Sequence, residues 1–342
     1  MKTKKFTGLL AATIFAGTIL SACGSNQEKT NSEAGSKEKD KPSYTFRLAD
    51  NQPADYPTVV GDKKFAELVE ERTNGRIKIE VFPSAQLGDE KSVLEQVQLG
   101  AIEFTRINAS PLAEFNKDFS VLGLPYVFES DEHLWSFLES EKGTEMLDGL
   151  EQSKMKGLAY YDSGSRNFYS TKELNSIDDL EGLKIRVQQS EINIDFMKAI
   201  GASATPMPYG EVFSALQTGI IDGAENNLPS FDSSNHYQEA KSIILDHHQR
   251  IPEVLLMSDG VWDKLDEEDK EIIKQAALDS VETQKAEWDK WEQRSEKKLK
   301  DEGVTFTEVK DLKPWQDAVK TMVEKHSKDY KDIMEAIDQA RP

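Results

Sequence analysis

Cysteine is nearly absent from this chain of 342 residues: there is one, Cys23. A lone thiol excludes an intramolecular disulfide and any zinc site built on cysteine pairs. Histidine is scarce as well, with five residues. The only histidine cluster is His247-His248, whose adjacent side chains do not share a helix or strand face. No metal is expected. Positive charge is also in short supply, with 42 Lys and Arg against 62 Asp and Glu and a formal net charge of -20. A surface of that sign repels a phosphate backbone, so a nucleic-acid partner is disfavoured and none is expected. An anionic ligand would need a local arginine to override the global field. Phosphate-cradling loops and dinucleotide fingerprints are missing, and Ser163 and Ser165 lack the setting of a nucleophile. No cofactor is expected.

Long apolar runs are missing too. The longest, Leu9 to Leu20, is too short to span a bilayer. It follows the basic Lys2–Lys5 and precedes Leu20-Ser21-Ala22-Cys23, which looks like a lipobox. Residues 1–22 therefore read as a lipoprotein signal peptide, with Cys23 acylated (palmitate among its chains) as the mature N-terminus. Residues 23–42, rich in Ser, Asn, Glu and Lys, can bury little and read as a disordered tether. The expected location is extracytoplasmic, anchored to the cell membrane. For the remainder, 37% hydrophobic and 30% charged residues suit a soluble chain long enough for two domains.

What is present begins with alternation. Tyr44, Phe46 and Leu48 set a first strand that ends at Asp50–Pro53; Pro57 opens a helix that Asn74-Gly75 closes. Ile77–Val81 gives a second strand, Asp89–Leu99 a helix, and Ala101–Ile107 a third strand carrying Arg106. Ser130–Leu150 reads as one helix and Gly157–Asp162 as a strand, with Arg166 in the glycine-rich turn that follows. Leu183, Ile185 and Val187 alternate with Lys184 and Arg186. Ser190 caps a helix ending at Gly201, Ser203–Pro206 is extended, and Pro208 opens a helix that stops at Gly219. Ile220–Ile221 then form a brief strand leading into Asp222–Asn227. Ser242–Leu245 and Val254–Ser258 are expected to return to the first sheet. A very long helix runs from Asp266–Asp269 to about Asp301, then a strand at Val304–Val309 and a terminal helix at Lys313–Asp338. Strands separated by helices predict an α/β fold with parallel sheets covered on both faces. Ligands of such sheets bind at the rim where strands end.

Three segments carry a family resemblance: Gly182–Val187 (Gly-Leu-Lys-Ile-Arg-Val), Gly201–Asn227 with its Asp-Gly-Ala-Glu-Asn-Asn end, and Gly164–Ser170. They resemble the DctP family, the extracytoplasmic solute-binding proteins of TRAP transporters, over nearly all of the chain from Tyr44. The resemblance implies a two-domain periplasmic-binding-protein-like fold with a long helix spanning both domains. One domain would be 43–163 plus about 252–290, the other 164–251 plus about 291–340. It also implies that the protein is not an enzyme and that its partners are the TRAP membrane subunits. Arg186 sits where that family places its main carboxylate-binding arginine, Arg166 where it places a supporting one, and Asn226 where an asparagine hydrogen-bonds the ligand.

The residue types agree with a carboxylate ligand, since a guanidinium matches a carboxylate bidentately. Glu225 and Asn227 stand beside Asn226 as readers of hydroxyl groups. From the first domain, Asn51, Gln52, Glu90, Arg106 and Asn108 lie at strand or helix ends that would face the cleft. Tyr209 and Phe231 could supply a flat wall. The expected ligand is a hexuronate-like sugar acid. Arg106, as a second cationic pole, keeps a C4-dicarboxylate open as the alternative, and a Glu225/Asp222 acid pair leaves a lipid-anchored sugar-acid hydrolase as the distant one.

Overall fold

The alternating Tyr44, Phe46 and Leu48 form β1 (Tyr44–Ala49), and Phe46 and Leu48 are buried. The computed structural model describes residues 41–342; the signal peptide, Cys23 and nearly all of the tether lie outside the described residues. Pro57 begins the next helix (Pro57–Arg72), where a missing N–H leaves nothing unpaired, and Val59, Phe65 and Val69 turn inward. Asn74 and Gly75, both at positive φ, end it. β2 (Ile77–Phe82) then pairs parallel with β1, and β3 (Phe104–Asn108) pairs parallel on the other side.

The sheets are mixed rather than parallel. β4 (Met155–Tyr161) closes the first sheet, and the chain then passes to a second one. There β5 (Arg166–Ser170), β6 (Lys184–Val187), β7 (Ser203–Pro206), β8 (Gly223–Asn226) and β9 (Ser242–Gln249) follow. The chain returns through Arg250–Pro252 to β10 (Glu253–Ser258), and β11 (Thr305–Glu308) ends the strand series. The orders are β2-β1-β3-β10-β4 and β11-β9-β5-β8-β6-β7. β10 runs antiparallel between β3 and β4, and β5 runs antiparallel between β8 and β9. At each crossing the strand on which the chain enters the new sheet runs antiparallel to its neighbours, which period-two alternation cannot reveal. The two crossings touch: Ser163 Oγ donates to Ile251 O at 3.0 Å.

Local corrections have local causes. β9 lies in the second sheet, so only β10 returns to the first. Ile220 and Ile221 form no strand, because their N–H groups bond back to Ala215 O behind Gly219 at φ +70. The expected Ser130–Leu150 helix is two, Asp131–Leu138 and Glu141–Asp148; Ser140 caps the second by accepting from Gly143 N. The terminal helix also breaks, into Lys313–Ser327 and Lys331–Gln339. Ser190 precedes its helix without a side-chain cap.

The long helix Glu267–Asp301 opens as expected, with Asp266 accepting from Asp269 N. Its Ile273, Ala276 and Ala277 pack into the core of the first sheet. Trp288 and Trp291 meet Tyr56 and Val59, and Leu299 joins the core of the second sheet. Midway, Gln284 accepts from Asp162 N at 2.8 Å and donates to Asp162 O at 2.9 Å, clamping the first crossing. A Cβ on Gly61 would meet Gln284 at 2.8 Å, so glycine there permits this approach. Among the described residues, no helix is long and apolar enough to cross a membrane.

Candidate functional site

Strand register assembles one half of the site. β8 pairs with β5 so that Asn226 faces Asn167, and with β6 so that Ala224 faces Arg186. Arg166, Arg186, Glu225 and Asn226 are thereby brought to one rim of the second sheet. Arg166 opens β5 rather than lying in a turn. It is buried, with Nε donating to Glu225 Oε2, Nη2 to Glu225 O at 3.0 Å and Nη1 to Asn226 Oδ1 at 3.0 Å. Burial alone would push the Glu225 carboxyl up, but Arg166 and His248 hold it down to about 2. Glu225 is therefore an anion, and its Oε1 has no partner.

Arg186 is different. It is only 3% exposed, and Nε and Nη2 both donate to the backbone oxygen of Met207, at 3.1 and 2.9 Å. Among the described residues, no carboxylate lies within ion-pair distance of it. The Tyr209 ring sits 5.6 Å from its guanidinium carbon. Burial pulls its pKa below the usual arginine value, a pull that Glu225 only partly opposes. A buried guanidinium held by one neutral acceptor keeps charge and donor capacity that an anion could take up.

Asn226 Oδ1 takes both Arg166 Nη1 and the N–H of Asn227. Asn227, expected to read hydroxyls, instead caps the helix Leu228–Ser233: its Oδ1 accepts from Ser230 N, and its Nδ2 donates to Ser163 O. Phe231 is core, stacked on Tyr169 at 4.3 Å, and is no cleft wall. Tyr209 is half-buried; its hydroxyl donates to Ser230 O at 3.1 Å and contacts Ser234 Oγ. Asp222, the other half of the hypothetical acid pair, binds Lys172 and Lys184 N away from Glu225.

The first sheet supplies the opposite rim. Arg106 there is encircled. Its Nε donates to Asp50 Oδ2 at 2.9 Å, Nη1 to Glu253 Oε2 at 2.7 Å and Nη2 to Asn51 Oδ1 at 2.6 Å, with Glu90 3.6 Å away. Expected as a second cationic pole, it is one compensated by Asp50 and Glu253. Asn108 is committed as well, donating to Glu253 at 2.9 Å and capping the turn at Ser110. Glu90 has its carboxyl pushed up to about 7, by burial above all and by Glu253, against the pull of Arg106. Gln52 is buried with Oε1 unpartnered.

The rims meet. Tyr56 Oη lies 2.7 Å from Ser230 Oγ and 3.3 Å from Asn227 Oδ1. Beside this contact a cleft of about 330 Å³ is lined by Asn51, Ser84 and Glu90 from one side and by Tyr209, Phe213 and His236 from the other.

Several neighbours escaped the sequence reading. Gln188, whose buried Oε1 has no partner, follows Arg186 by two and was legible from strand period alone. Asp50 adjoins Asn51 and shared its signal. Glu253 and His248 reach the site only through register, and no local pattern announces them.

Comparison with known proteins follows the same lines. A family model described as bacterial extracellular solute-binding protein, family 7 (DctP), matches residues 48–329. A TRAP periplasmic solute binding protein from Xanthobacter autotrophicus Py2, solved with bound β-D-galacturonate, is 42% identical, with a TM-score of 0.84 over 86% of this chain and 100% of that one. One from Pseudomonas putida F1, solved with bound D-glucuronate, is 39% identical, with a TM-score of 0.85 over 86% and 97%. A solute-binding protein of Chromohalobacter salexigens is 35% identical over 282 residues, 82% of this chain and 84% of its own length.

Proposed function

This chain belongs to the DctP family of bacterial extracellular solute-binding proteins, and from that premise we propose that it captures a hexuronate and hands it to the membrane subunits of a TRAP-type transporter. The observation that carries the choice of ligand is Arg186, a buried guanidinium with no carboxylate within ion-pair distance among the described residues. Arg166 and Asn226 flank it and orient the same ligand carboxylate. Around them stand acceptors without donors: Glu225 Oε1, Gln188 Oε1 and, from the opposite rim, Gln52 Oε1. One cation and several free acceptors complement one carboxylate and several hydroxyls. The related proteins solved with galacturonate and glucuronate support the same choice.

The working step is closure. A ligand held by Arg186 on one rim and by Asn51, Gln52 or Glu90 on the other favours the state in which both rims touch, and that state is what the membrane subunits recognise. No bond of the ligand is made or broken. The two halves move as 43–163 plus about 252–290 against 164–251 plus about 291–340. Cys23 carries the lipid that keeps the protein at the outer face of the cell membrane.

A thermal-shift panel of D-glucuronate, D-galacturonate, D-gluconate, succinate and malate tests this. At a hundredfold excess over Kd, the true ligand raises Tm by roughly 4 °C, and NMR recovers it unchanged. Stabilisation by succinate or malate, with none by the sugar acids, overturns the assignment.

A further inference from the structure

The histidine pair that the carboxylate site leaves unused lies directly beneath it. β9 bulges opposite Arg166 and Phe168, with His247 at φ +47. The extra residues let the His248 side chain reach past β5 toward Glu225 on β8. His248 is fully buried: Nδ1 lies 2.9 and 3.1 Å from the two Asp246 oxygens, and Nε2 lies 3.6 Å from Glu225 Oε2. Its ring stacks on Phe168 at 4.3 Å and lies 5.2 Å from Phe196, so neither aromatic neighbour offers it a charge. Asp246 also accepts from Tyr126 Oη at 3.1 Å, and the Tyr126 N–H donates to His248 O at 2.8 Å. Glu225 Oε2 is thus the point at which this chain meets Arg166.

Charge makes the arrangement specific. Arg166 and a protonated His248 balance Glu225 and Asp246, and the buried quartet is neutral. With a neutral His248 the quartet carries one negative charge in the layer that also holds Arg186, where Glu225 is already the leading opposing charge. A ligand carboxylate would then feel Glu225 as well as Arg186.

We propose that His248 is a positioning residue of the carboxylate site: its imidazolium, hydrogen-bonded to Asp246 and with Nε2 otherwise unpartnered 3.6 Å from Glu225, attracts Glu225 from the side opposite Arg166 and cancels the buried negative charge, so that Arg186 sets the potential the ligand meets. This deepens the carboxylate reading and rests on it. The two flanking carboxylates outweigh burial and raise the proton affinity of His248, whereas burial lowers that of its neighbour His247, which contacts Ser165 Oγ. The groups facing His248 are Asp246 on its own strand, Glu225 on β8, Arg166 behind Glu225 on β5, and Tyr126 through Asp246.

The sign follows. The imidazolium is present below its raised pKa, and affinity falls as pH rises through it. Glu90 also titrates near this window, so the affinity measurements are made in a Glu90→Gln background. Calorimetry with D-glucuronate and D-galacturonate between about pH 6 and 9 should show affinity falling with pH in that background. His248→Gln added to it should weaken binding at low pH by roughly tenfold, the effect of one interior charge a few side chains away, and flatten the profile. In a Glu225→Gln background, His248→Gln should add little, because the charge to be cancelled is gone. Nitrogen-15 NMR of histidine-labelled wild type should give an imidazolium signature for His248 at neutral pH, and this needs no variant to fold. A neutral signature overturns the proposal, and so does unchanged affinity and pH profile in His248→Gln. If wild type binds neither uronate, the ligand assignment fails instead, and the NMR signature still decides the state of His248.

Discussion

Replacing Arg186 with methionine separates two roles that a buried arginine can have. Methionine keeps an apolar stem and removes the guanidinium, which avoids most of the cavity penalty of alanine. Two of its donors hold Met207 O, and no described carboxylate lies within ion-pair distance, Glu225 offsetting the charge only in part, so the ligand-free protein bears an incompletely compensated buried cation. Burial accordingly lowers its pKa. Removing it should leave the Tm of the ligand-free protein unchanged or slightly higher. Binding should suffer: truncating one partner of a desolvated, hydrogen-bonded charge pair costs ~2–5 kcal/mol, or about 30-fold to several thousandfold in Kd. Arg186→Lys should recover only part of this, since an ammonium cannot present the fork. The assays are calorimetry with the uronate that stabilises wild type and thermal unfolding without it. Near-native affinity in Arg186→Met would remove Arg186 from the site. A matching loss of apo stability would show that the guanidinium serves the fold through Met207.

Two further expectations concern regions away from the ligand. Asp62 is wholly buried against Asp50, no donor reaches either oxygen, and burial together with Asp50 pushes its carboxyl pKa well above the usual value. A raised carboxyl pKa means stability is lost as pH climbs above the unfolded value, so Asp62→Asn should stabilise the protein at pH 8 by on the order of 1 kcal/mol and have little effect near pH 4; urea titrations at both pH values that give equal effects would refute this. Cys23→Ser in the full-length gene should release the protein from the membrane fraction, since two or more acyl chains are needed for stable anchoring; fractionation that finds it as membrane-bound as wild type would refute the lipid assignment.

What was legible in the chain was legible for local reasons. Alternation at Tyr44–Leu48 and the Pro57 start needed only neighbours within a few residues. Asp266 needed only the acidic first turn behind it. Arg186 was readable because one arginine among alternating apolar residues must leave the strand on the other face. The failures are equally physical. Ile220 and Ile221 have the composition of a strand, but their N–H groups close the preceding helix. Asn227 has the composition of a hydroxyl reader, but its place before a Leu-Pro helix start makes it a cap. β10 and Glu253 reach Arg106 from a strand 147 residues further along the chain, and the order of that sheet is not written in any window of sequence.

That pairing bears on the most open question in the sequence, whether Arg106 gives the cleft a second positive pole. Three arginines stand at the rims, and they differ only in what surrounds them. Arg106 is held by Asp50 and Glu253, with Glu90 close by. Arg166 is held by Glu225. Arg186 has the Met207 carbonyl and, among the described residues, no carboxylate within ion-pair distance, Glu225 acting on it only from further off. A second carboxylate brought to the Arg106 rim would have to share that cation with Asp50 and Glu253 and with the nearby Glu90, and each like charge about 4 Å away repels by about 4 kcal/mol at an effective dielectric of about 20. A hydroxyl in the same position would find acceptors in Gln52 and Glu90. The balance at the first rim therefore disfavours a dicarboxylate for the same reason that the imbalance at the second favours a single acid group, and both depend on pairings made across strands far apart in the chain.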